Sequence, residues 1–413
     1  MKFPMANIAE IRELFPALSR KVYGKDLVYF DNAATSQRSQ AVIDRWNEIS
    51  SYSNANIHRA VHRLADEATH AYEGARDAVK DFLNASAREE IIFTAGTTAS
   101  VNLVAYSYGE AFVKEGDEVI VTEAEHHSNI VPWQMMCGRK GAVLKVLPVD
   151  DDGYLMLEKL DELITPKTRI LSVTHISNVL GIINPIGEII EKCHAKGVHV
   201  LVDGAQGVVH CKVDVQELDC DFYVFSGHKM YAATGTGVLY GKRELLEAMP
   251  PYMGGGEMVG TVSFAKTTYA PLPMKFEAGT QNFASTATFK QAIECVNLLN
   301  NNELTQNYDK IRDYLLDYFK SDDRFTLYGV PRGTYADKIA LFSFSVKGVH
   351  HEDLALILDK MGVAVRSGQM CAEPLMDRFG VTGMLRVSLA PYNTLQEAEY
   401  FIKCLDKAIK MLQ

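Results

Sequence analysis

Residues 198–206 read Val-His-Val-Leu-Val-Asp-Gly-Ala-Gln, and residues 221–229 read Asp-Phe-Tyr-Val-Phe-Ser-Gly-His-Lys. Each stretch is a short apolar run that ends in polar side chains. Near-continuous runs of Val, Leu and aromatic residues are typical of strands that are covered on both faces, as in a parallel sheet with helices on each side. The two stretches therefore predict two strands of such a sheet, with polar residues at their carboxyl ends.

The same pattern recurs between residues 90 and 240, where apolar strands alternate with helical stretches. This alternation predicts an α/β layer fold with a mostly parallel central sheet flanked by helices. The predicted strands cover residues 90–93, 118–122, 142–146, 169–173, 198–202, 221–225 and 237–240.

The strand–helix alternation does not continue in the C-terminal half of the chain. Residues 254–284 are rich in Gly and Pro without a helical period, which predicts a long excursion with a hairpin, and residues 286–320 predict a helix. Beyond them a strand at 340–346 and helices at 352–361 and 395–412 are predicted, the last with a Thr394–Glu397 capping box. We expect a large domain over 26–296 and a smaller α+β C-terminal domain over 297–413, joined by the N-terminal segment 1–25.

The composition of the 413-residue chain is that of a globular protein in a reducing compartment. The net charge is −10 and no basic run is present, which argues against a nucleic-acid partner. No run approaches the ~18 apolar residues of a membrane span, and residues 1–10 lack the apolar stretch of a signal peptide. The seven cysteines are scattered without a C-x-x-C pair, so neither a disulfide framework nor a structural zinc site is expected. We therefore expect a cytoplasmic protein.

Asp203 follows the apolar run of the first quoted stretch and Lys229 ends the second, at the sheet edge where open α/β folds bind ligands. Asp203 could simply cap the next helix, but a buried carboxylate needs a cationic partner, such as a protonated pyridine nitrogen. A lysine is usually a solvated charge, yet Lys229 leaves a buried strand within Ser-Gly-His-Lys. A lysine held in a pocket can be neutral and therefore nucleophilic toward an aldehyde.

Residues 94–98, Thr-Ala-Gly-Thr-Thr, join a predicted strand to a predicted helix. Free N–H groups and the helix dipole at such a junction favour an anion, although a capped helix without a ligand has the same pattern. His126 and His127 follow the strand at 118–122. Adjacent histidines could bind a metal, but no H-E-x-x-H or H-x-x-E-H spacing accompanies them. An aromatic lid over a flat cofactor is the better interpretation.

Candidate substrate-binding and nucleophilic groups lie further along the chain. Asn178 follows the strand at 169–173, and Arg366 or Arg386 could clamp a carboxylate with two hydrogen bonds, although most arginines are solvated. Cys371 lies in the polar loop Val-Arg-Ser-Gly-Gln-Met-Cys-Ala-Glu-Pro. Most cysteines are buried and inert, but a polar loop beside an arginine favours an exposed thiolate.

Taken together, these motifs resemble those of the aminotransferase class V group of fold-type I pyridoxal-phosphate (PLP) enzymes, and among them the SufS-like (group II) cysteine desulfurases. The resemblance covers essentially the whole chain and implies the fold-type I architecture. It is carried by residues 31–35, 56–59, 126–133, 177–181, 203–206, 226–229, 254–258, 276–280 and 386–394.

The resemblance also implies a role for individual residues. Lys229 would hold PLP covalently, Asp203 would pair with its ring nitrogen, and Gln206 would approach its ring hydroxyl. His126 would stack on the ring, and Cys371 would carry the sulfur as a persulfide. The other implied contacts are Thr97, Thr98, Ser226 and His228 with the phosphate, Thr280 with the phosphate in the other subunit of a homodimer, and Ala33, His58, Asn178, Arg366 and Arg386 with the substrate.

The implied reaction converts L-cysteine to L-alanine and passes the sulfur to a SufE- or SufU-type acceptor for iron–sulfur cluster assembly. Gln369-Met370 stand where the family often has two histidines, and Thr94-Ala95-Gly96 where Arg-Gly is frequent, so the acceptor stays open. Selenocysteine lyase, cysteine-sulfinate desulfinase, an epimerase or a kynureninase-like enzyme could share this scaffold. Cys371 favours sulfur or selenium chemistry over the last two, and Lys229 with Cys371 argues against a non-catalytic assembly scaffold.

Overall fold

The computed structural model describes residues 7–413, and its largest sheet consists of the seven predicted strands. Residues 1–6, which belong to the segments 1–10 and 1–25 named above, lie outside the described residues. Every strand begins and ends within one residue of its predicted range. In chain order the strands are Ile91–Thr94 (β1), Glu118–Thr122 (β2), Val143–Leu147 (β3), Thr168–Thr174 (β4), His199–Asp203 (β5), Phe222–Ser226 (β6) and Gly237–Gly241 (β7).

The sheet has the order β1-β7-β6-β5-β4-β2-β3. Strand β7 is antiparallel to both of its neighbours, and all other pairs are parallel. The prediction of a mostly parallel α/β sheet is confirmed. Because β2, β4, β5 and β6 run in the same direction, the residues that follow them meet at one edge of the sheet.

Helices cover both faces of this sheet, as alternate side chains of β5 show. Val200 and Val202 pack in one core, whereas Leu201 packs in the core on the other face. The α-helices of residues 7–413 are Ile8–Glu13, Gln40–Tyr52, Arg63–Leu83, Thr97–Phe112, Val131–Lys140, Leu160–Leu163, Ile186–His194, Gly207–His210, Val215–Leu218, Arg243–Ala248, Phe283–Thr286, Phe289–Leu299, Asn302–Lys320, His351–Lys360, Glu373–Phe379 and Leu395–Leu412.

Two local predictions in the C-terminal half have different outcomes. The expected hairpin is present, with Val259–Val262 (β8) antiparallel to Thr267–Tyr269 (β9). The single helix over 286–320 is wrong, because the chain breaks between Phe289–Leu299 and Asn302–Lys320. Asn301 is extended there, and its side chain accepts a hydrogen bond from the N–H of Leu304, as asparagine often does at a helix start.

A second sheet follows the second of these helices. It is antiparallel, in the order Phe325–Tyr328 (β10), Leu341–Val346 (β11), Met384–Ser388 (β13), Arg366–Gly368 (β12). The helix after it has the predicted Thr394–Glu397 capping box. Val28 and Phe30 pack in the core of this part, whereas Ile11, Phe15 and Leu18 pack in a core of the large sheet. Short strand pairs are formed by Lys21–Val22 with Lys25–Asp26 and by Val28–Tyr29 with Val363–Ala364.

Residues 7–413 contain neither a membrane-spanning helix nor a cluster of metal-binding side chains. No helix in this range is long and apolar enough to cross a membrane. Within the same range, no group of three or more His, Cys, Asp or Glu side chains is placed to hold a metal ion.

Candidate active site

A cavity of about 540 Å³ opens at the carboxyl ends of β2, β4, β5 and β6. Segments that are distant in sequence meet around it, from the loop after Phe30 to strand β13. The cavity brings together most of the residues singled out in the sequence: Ala33, Thr97, Thr98, His126, Asn178, Asp203, Gln206, Ser226, His228, Lys229, Arg366, Cys371 and Arg386.

Asp203 and Lys229 bring opposite charges to the floor of the cavity. Asp203 ends β5 and is buried, and its Oδ1 accepts a hydrogen bond from the N–H of Ala205 at 3.0 Å. Burial raises the pKa of Asp203, while the Ala205 N–H and the charge of Lys229 act in the opposite direction. Burial likewise lowers the pKa of Lys229, and Asp203 opposes it. The pair therefore provides a buried anion and an amine whose proton is easily lost.

An anion cradle lies where β1 turns into the helix Thr97–Phe112. The N–H of Thr97 donates to Ser226 Oγ at 2.8 Å, and the two hydroxyl oxygens are also 2.8 Å apart. A Cβ on Gly237 would lie 2.4 Å from the Cα of Gly96, so only glycine permits this close approach of β7. Thr98 is exposed to the cavity in the first helical turn, where N–H groups and the helix dipole favour an anion.

His126 is held as a neutral imidazole above this floor. Its Nδ1 accepts a hydrogen bond from the Ser128 N–H at 3.0 Å and lies 2.8 Å from the Ser128 hydroxyl, so the ring proton is on Nε2. Burial, followed by the charge of Lys229, lowers the pKa of His126 to about 4. At neutral pH the ring therefore has no charge and keeps one N–H donor.

Glu125, which the sequence reasoning missed, lies directly before this histidine and is fully buried. Its carboxylate accepts three hydrogen bonds, from the Thr122 hydroxyl at 2.6 Å, the Thr174 N–H at 2.8 Å and Asn129 Nδ2 at 2.6 Å. Burial raises the pKa of Glu125 to about 8 against these donors. The network fixes the backbone before His126. A carboxylate three residues after a buried strand, next to the candidate histidine, was the signal that could have found it.

The two candidate arginines differ in their exposure. Arg386 has only 4% of its side chain exposed, donates to the backbone oxygen of Asn178 at 2.8 Å, and lies 3.2 Å from Asp31 Oδ1. Its Nε is buried and has no hydrogen-bond partner among the described residues. Arg366 binds the other Asp31 oxygen at 2.9 Å and is 49% exposed. Asp31, also missed in the sequence, thus orients both guanidinium groups toward one cavity wall.

The remaining polar contacts tie the cavity wall together. Gln206 is buried, and its side-chain nitrogen donates to the backbone oxygen of Ala33 at 2.8 Å. The backbone oxygen of His228 accepts from the hydroxyls of Thr35 and Ser36, at 3.0 and 3.1 Å. Burial lowers the pKa of His228 to about 4, so this ring is also neutral at neutral pH.

The loop that carries Cys371 closes one side of the cavity. Cys371 is exposed, whereas the other six cysteines are buried or partly buried. Met370 and Cys371 have φ angles of 54° and 55°, in the left-handed region. That region costs a residue with a side chain roughly 1–2 kcal/mol, so the conformation persists only where surrounding contacts hold it. One such contact is the hydrogen bond from Asn178 Nδ2 to the Met370 oxygen, at 2.9 Å.

Two predicted site residues do not line the cavity of their own chain. Thr280 is exposed at the end of the long excursion. His58 lies 3.0 Å from Glu73 through its Nε2, and its ring packs edge-on against Tyr72. Thr280 is predicted to reach the phosphate in the other subunit of a dimer, so a single chain does not test it. The substrate contact of His58 and the phosphate contact of Thr280 therefore stay predictions.

Comparison with known proteins identifies several relatives over the full length of the chain. Residues 28–401 match the aminotransferase class-V family. A probable cysteine desulfurase of Vibrio cholerae is 44% identical over 99% of this chain and 100% of its own length. A cysteine desulfurase of Cronobacter sakazakii is 45% identical over 98% of this chain and 99% of its own length. The crystal structure of the Escherichia coli cysteine desulfurase CsdA has a TM-score of 0.90 at 40% identity, covering 99% of this chain and 100% of the other.

Proposed function

The chain belongs to the aminotransferase class-V family, and on that premise we propose that it is a PLP-dependent cysteine desulfurase. It converts L-cysteine to L-alanine and keeps the sulfur on Cys371 as a persulfide, for iron–sulfur cluster assembly. The observation that carries the proposal is that one cavity contains both Lys229 and Cys371. An amine that can bind an aldehyde and a thiol that can accept sulfur are the two reactive groups that this reaction needs.

The residues around the cavity fit pyridoxal phosphate. Lys229 would hold the aldehyde, the buried Asp203 would face the ring nitrogen, and the cradle at Thr97 and Ser226 would bind the phosphate. A cationic ring nitrogen would give the Asp203 carboxylate the partner that burial requires. The neutral His126 ring would lie against the flat cofactor. Pyridoxal phosphate, when bound, supplies an electron sink for the electrons of the substrate Cα–H bond.

The substrate is held by its carboxylate and deprotonated by the lysine. Arg386 presents a buried Nε without a partner among the described residues, and the carboxylate of L-cysteine would satisfy it. Asn178 lies beside Arg386 and uses one of its two amide N–H groups on Met370, which leaves the second for the substrate. The Lys229 amine then takes the Cα proton, because burial favours its neutral, basic form.

Cys371 performs the sulfur transfer. Its thiolate attacks the substrate Sγ, so that an S–S bond forms while the Cβ–Sγ bond breaks. The carbon fragment keeps the electron pair of the broken bond, takes up a proton and leaves as alanine. L-Cysteine and one thiol thus become L-alanine and one persulfide, and no external oxidant or reductant is needed. An external acceptor thiol, of the SufE or SufU type, would then remove the sulfur from the exposed Cys371.

Alanine formation tests this function directly. The purified protein, loaded with pyridoxal phosphate and supplied with a thiol reductant, should release L-alanine from L-cysteine. Lys229→Ala should abolish the product, because no other group takes the Cα proton. Lys347→Ala, on an exposed turn far from the cavity, is the matched control and should act like the wild type. A wild type that consumes no L-cysteine would disprove the function.

We further propose a homodimer in which Thr280 of each chain reaches the phosphate site of the other. The excursion that ends at Thr280 exposes large apolar side chains, with Val262 at 66%, Phe264 at 116% and Tyr269 at 52%. Such a surface on a single chain is unfavourable unless a partner covers it. Light scattering should give twice the mass of the chain, and Thr280→Ala should release the cofactor faster on gel filtration. A fully active monomer would contradict this arrangement.

A further inference from the structure

His127, the neighbour of the predicted ring-stacking histidine, has no part in the chemistry above, yet it contacts the Cys371 loop twice. Its backbone N–H donates to the oxygen of Cys371 at 2.7 Å. Its side-chain Nε2 accepts a hydrogen bond from the N–H of Glu373 at 3.0 Å. One histidine therefore bonds the loop at Cys371 itself and again two residues later.

The side-chain bond has a clear structural reason. Glu373 is the first residue of the helix Glu373–Phe379, and the first N–H groups of a helix have no partner within it. The residue before the helix, Ala372, has no side-chain acceptor and so cannot cap these N–H groups. The His127 imidazole supplies an acceptor from a different part of the chain, and so it fixes where the helix starts relative to the cavity.

The backbone of Met370 and Cys371, just before this helix, has a conformation that depends on contacts with other parts of the chain. Met370 and Cys371 are consecutive left-handed residues with side chains, a conformation that relaxes when its contacts are lost. Asn178 holds Met370 on one side and His127 holds the loop on the other. Without the His127 side chain, the loop would lose its one side-chain bond to the first N–H of the helix, and the Asn178 bond and the burial of Met370 and Ala372 would remain.

We infer that His127 is a positioning residue for sulfur transfer: through Glu373 it keeps the Cys371 loop in the left-handed conformation that closes the cavity. This inference rests on the proposed function. It assigns His127 to the step in which Cys371 attacks the substrate sulfur, and to neither cofactor binding nor Cα deprotonation. The His127 imidazole acts on the reaction only through the backbone of the Cys371 loop.

Three variants separate this role from a general structural one. His127→Ala removes the acceptor, whereas His127→Gln places Oε1 where Nε2 lies and should restore it. His70→Ala, an exposed histidine on the helix Arg63–Leu83, is the control. The loss of one hydrogen bond predicts that kcat for alanine formation falls about tenfold in His127→Ala, with KM for L-cysteine changed less than about threefold. His127→Gln should recover most of kcat.

Two further measurements follow the loop and the earlier step. In hydrogen–deuterium exchange the amide of Glu373 should lose protection in His127→Ala and regain it in His127→Gln, because its acceptor is removed and then replaced. Exchange of the Cα hydrogen of L-alanine in D₂O, which needs Lys229 but no sulfur transfer, should stay within about threefold of wild type.

The outcomes decide between the inference and the function on which it rests. If His127→Ala keeps the wild-type kcat, or if Cα-hydrogen exchange falls as much as alanine formation, the positioning role is wrong. Unchanged protection of the Glu373 amide would overturn it as well. If the wild type forms no alanine from L-cysteine, the proposed function fails, while Glu373 protection still shows whether His127 holds the loop.

Discussion

The buried guanidinium of Arg386 is expected to hold the substrate carboxylate, and replacement by lysine tests that role. Lysine keeps the positive charge but cannot present two parallel N–H groups to a carboxylate. The change also removes either the bond to the Asn178 oxygen at 2.8 Å or the contact with Asp31 at 3.2 Å, since one ammonium cannot replace the whole fork. The substitution therefore alters hydrogen-bond geometry more than it alters charge.

The size of the effect follows from the number of bonds lost. A hydrogen bond to a charged group contributes roughly 1.5–3 kcal/mol, and leaving a carboxylate with one donor fewer loses about one such bond. Since about 1.4 kcal/mol corresponds to a factor of ten in binding, KM for L-cysteine should rise about 10- to 100-fold. The hydrogen bond between Arg386 and the substrate carboxylate exists both in the bound substrate and in the transition state, so kcat should change much less than KM.

Arg366→Lys is the matched control, because Arg366 binds the other oxygen of the same Asp31 but is 49% exposed. A solvent-exposed ion pair contributes only about 0–1 kcal/mol, so its KM should rise no more than about fivefold. Initial rates of alanine formation across a range of L-cysteine concentrations give both constants for both variants. An Arg386→Lys enzyme with the wild-type KM, or one no worse than Arg366→Lys, would refute the assignment of the carboxylate site.

Two buried charges give predictions on stability. Because burial raises the pKa of Asp203, its carboxylate destabilises the cofactor-free fold at neutral pH. In urea unfolding, Asp203→Asn should therefore raise the free energy of unfolding of the cofactor-free protein by about 1–3 kcal/mol. The same substitution should weaken cofactor retention. A cofactor-free variant less stable than wild type would contradict this. Lys338 is buried, and its Nζ donates to the backbone oxygen of Leu180. Burial lowers the pKa of Lys338 to about 7, so the unfolded chain holds this proton up to higher pH. The loss of folding free energy caused by burying the charge is therefore full below pH 7 and fades as pH rises toward 10.5. Lys338→Met should therefore stabilise the protein by about 1–3 kcal/mol at pH 7 and by clearly less at pH 10, and an equal gain at both values would argue against a buried charge.

Local sequence patterns were sufficient for the sheet and for most of the cavity. The seven strands were predictable because their Val, Ile and aromatic runs are bounded by turn residues, and the parallel strands β2, β4, β5 and β6 end at the same edge of the sheet. Asp203 could be found because it directly follows such a run, and Lys229 because only Ser-Gly-His separates it from one. The single helix over 286–320 was wrong because the periodicity continues across Asn300, and only the capping side chain of Asn301 reveals the break.

The contacts that shape the site could not be read from local pattern. Asp31 and Arg386 are 355 residues apart in the chain, and His127 and Glu373 are 246 residues apart. Neither pair has a periodic signature, because pairing of this kind depends on how distant segments fold together. Motif spacing thus predicts which residues reach the cavity, while the orientation of Cys371 and Arg386 depends on partners that only the folded chain shows.

The central claim is that the sulfur of L-cysteine is transferred to Cys371, and its most direct test is mass spectrometry after a single turnover. The cofactor-loaded protein is mixed with L-cysteine in the absence of reductant, alkylated and digested. We predict one additional sulfur on the peptide that contains Cys371 and none on the other cysteine peptides, together with loss of alanine formation in Cys371→Ala but not in the matched Cys404→Ala. A persulfide on a different cysteine, or wild-type alanine formation by Cys371→Ala, would contradict the account.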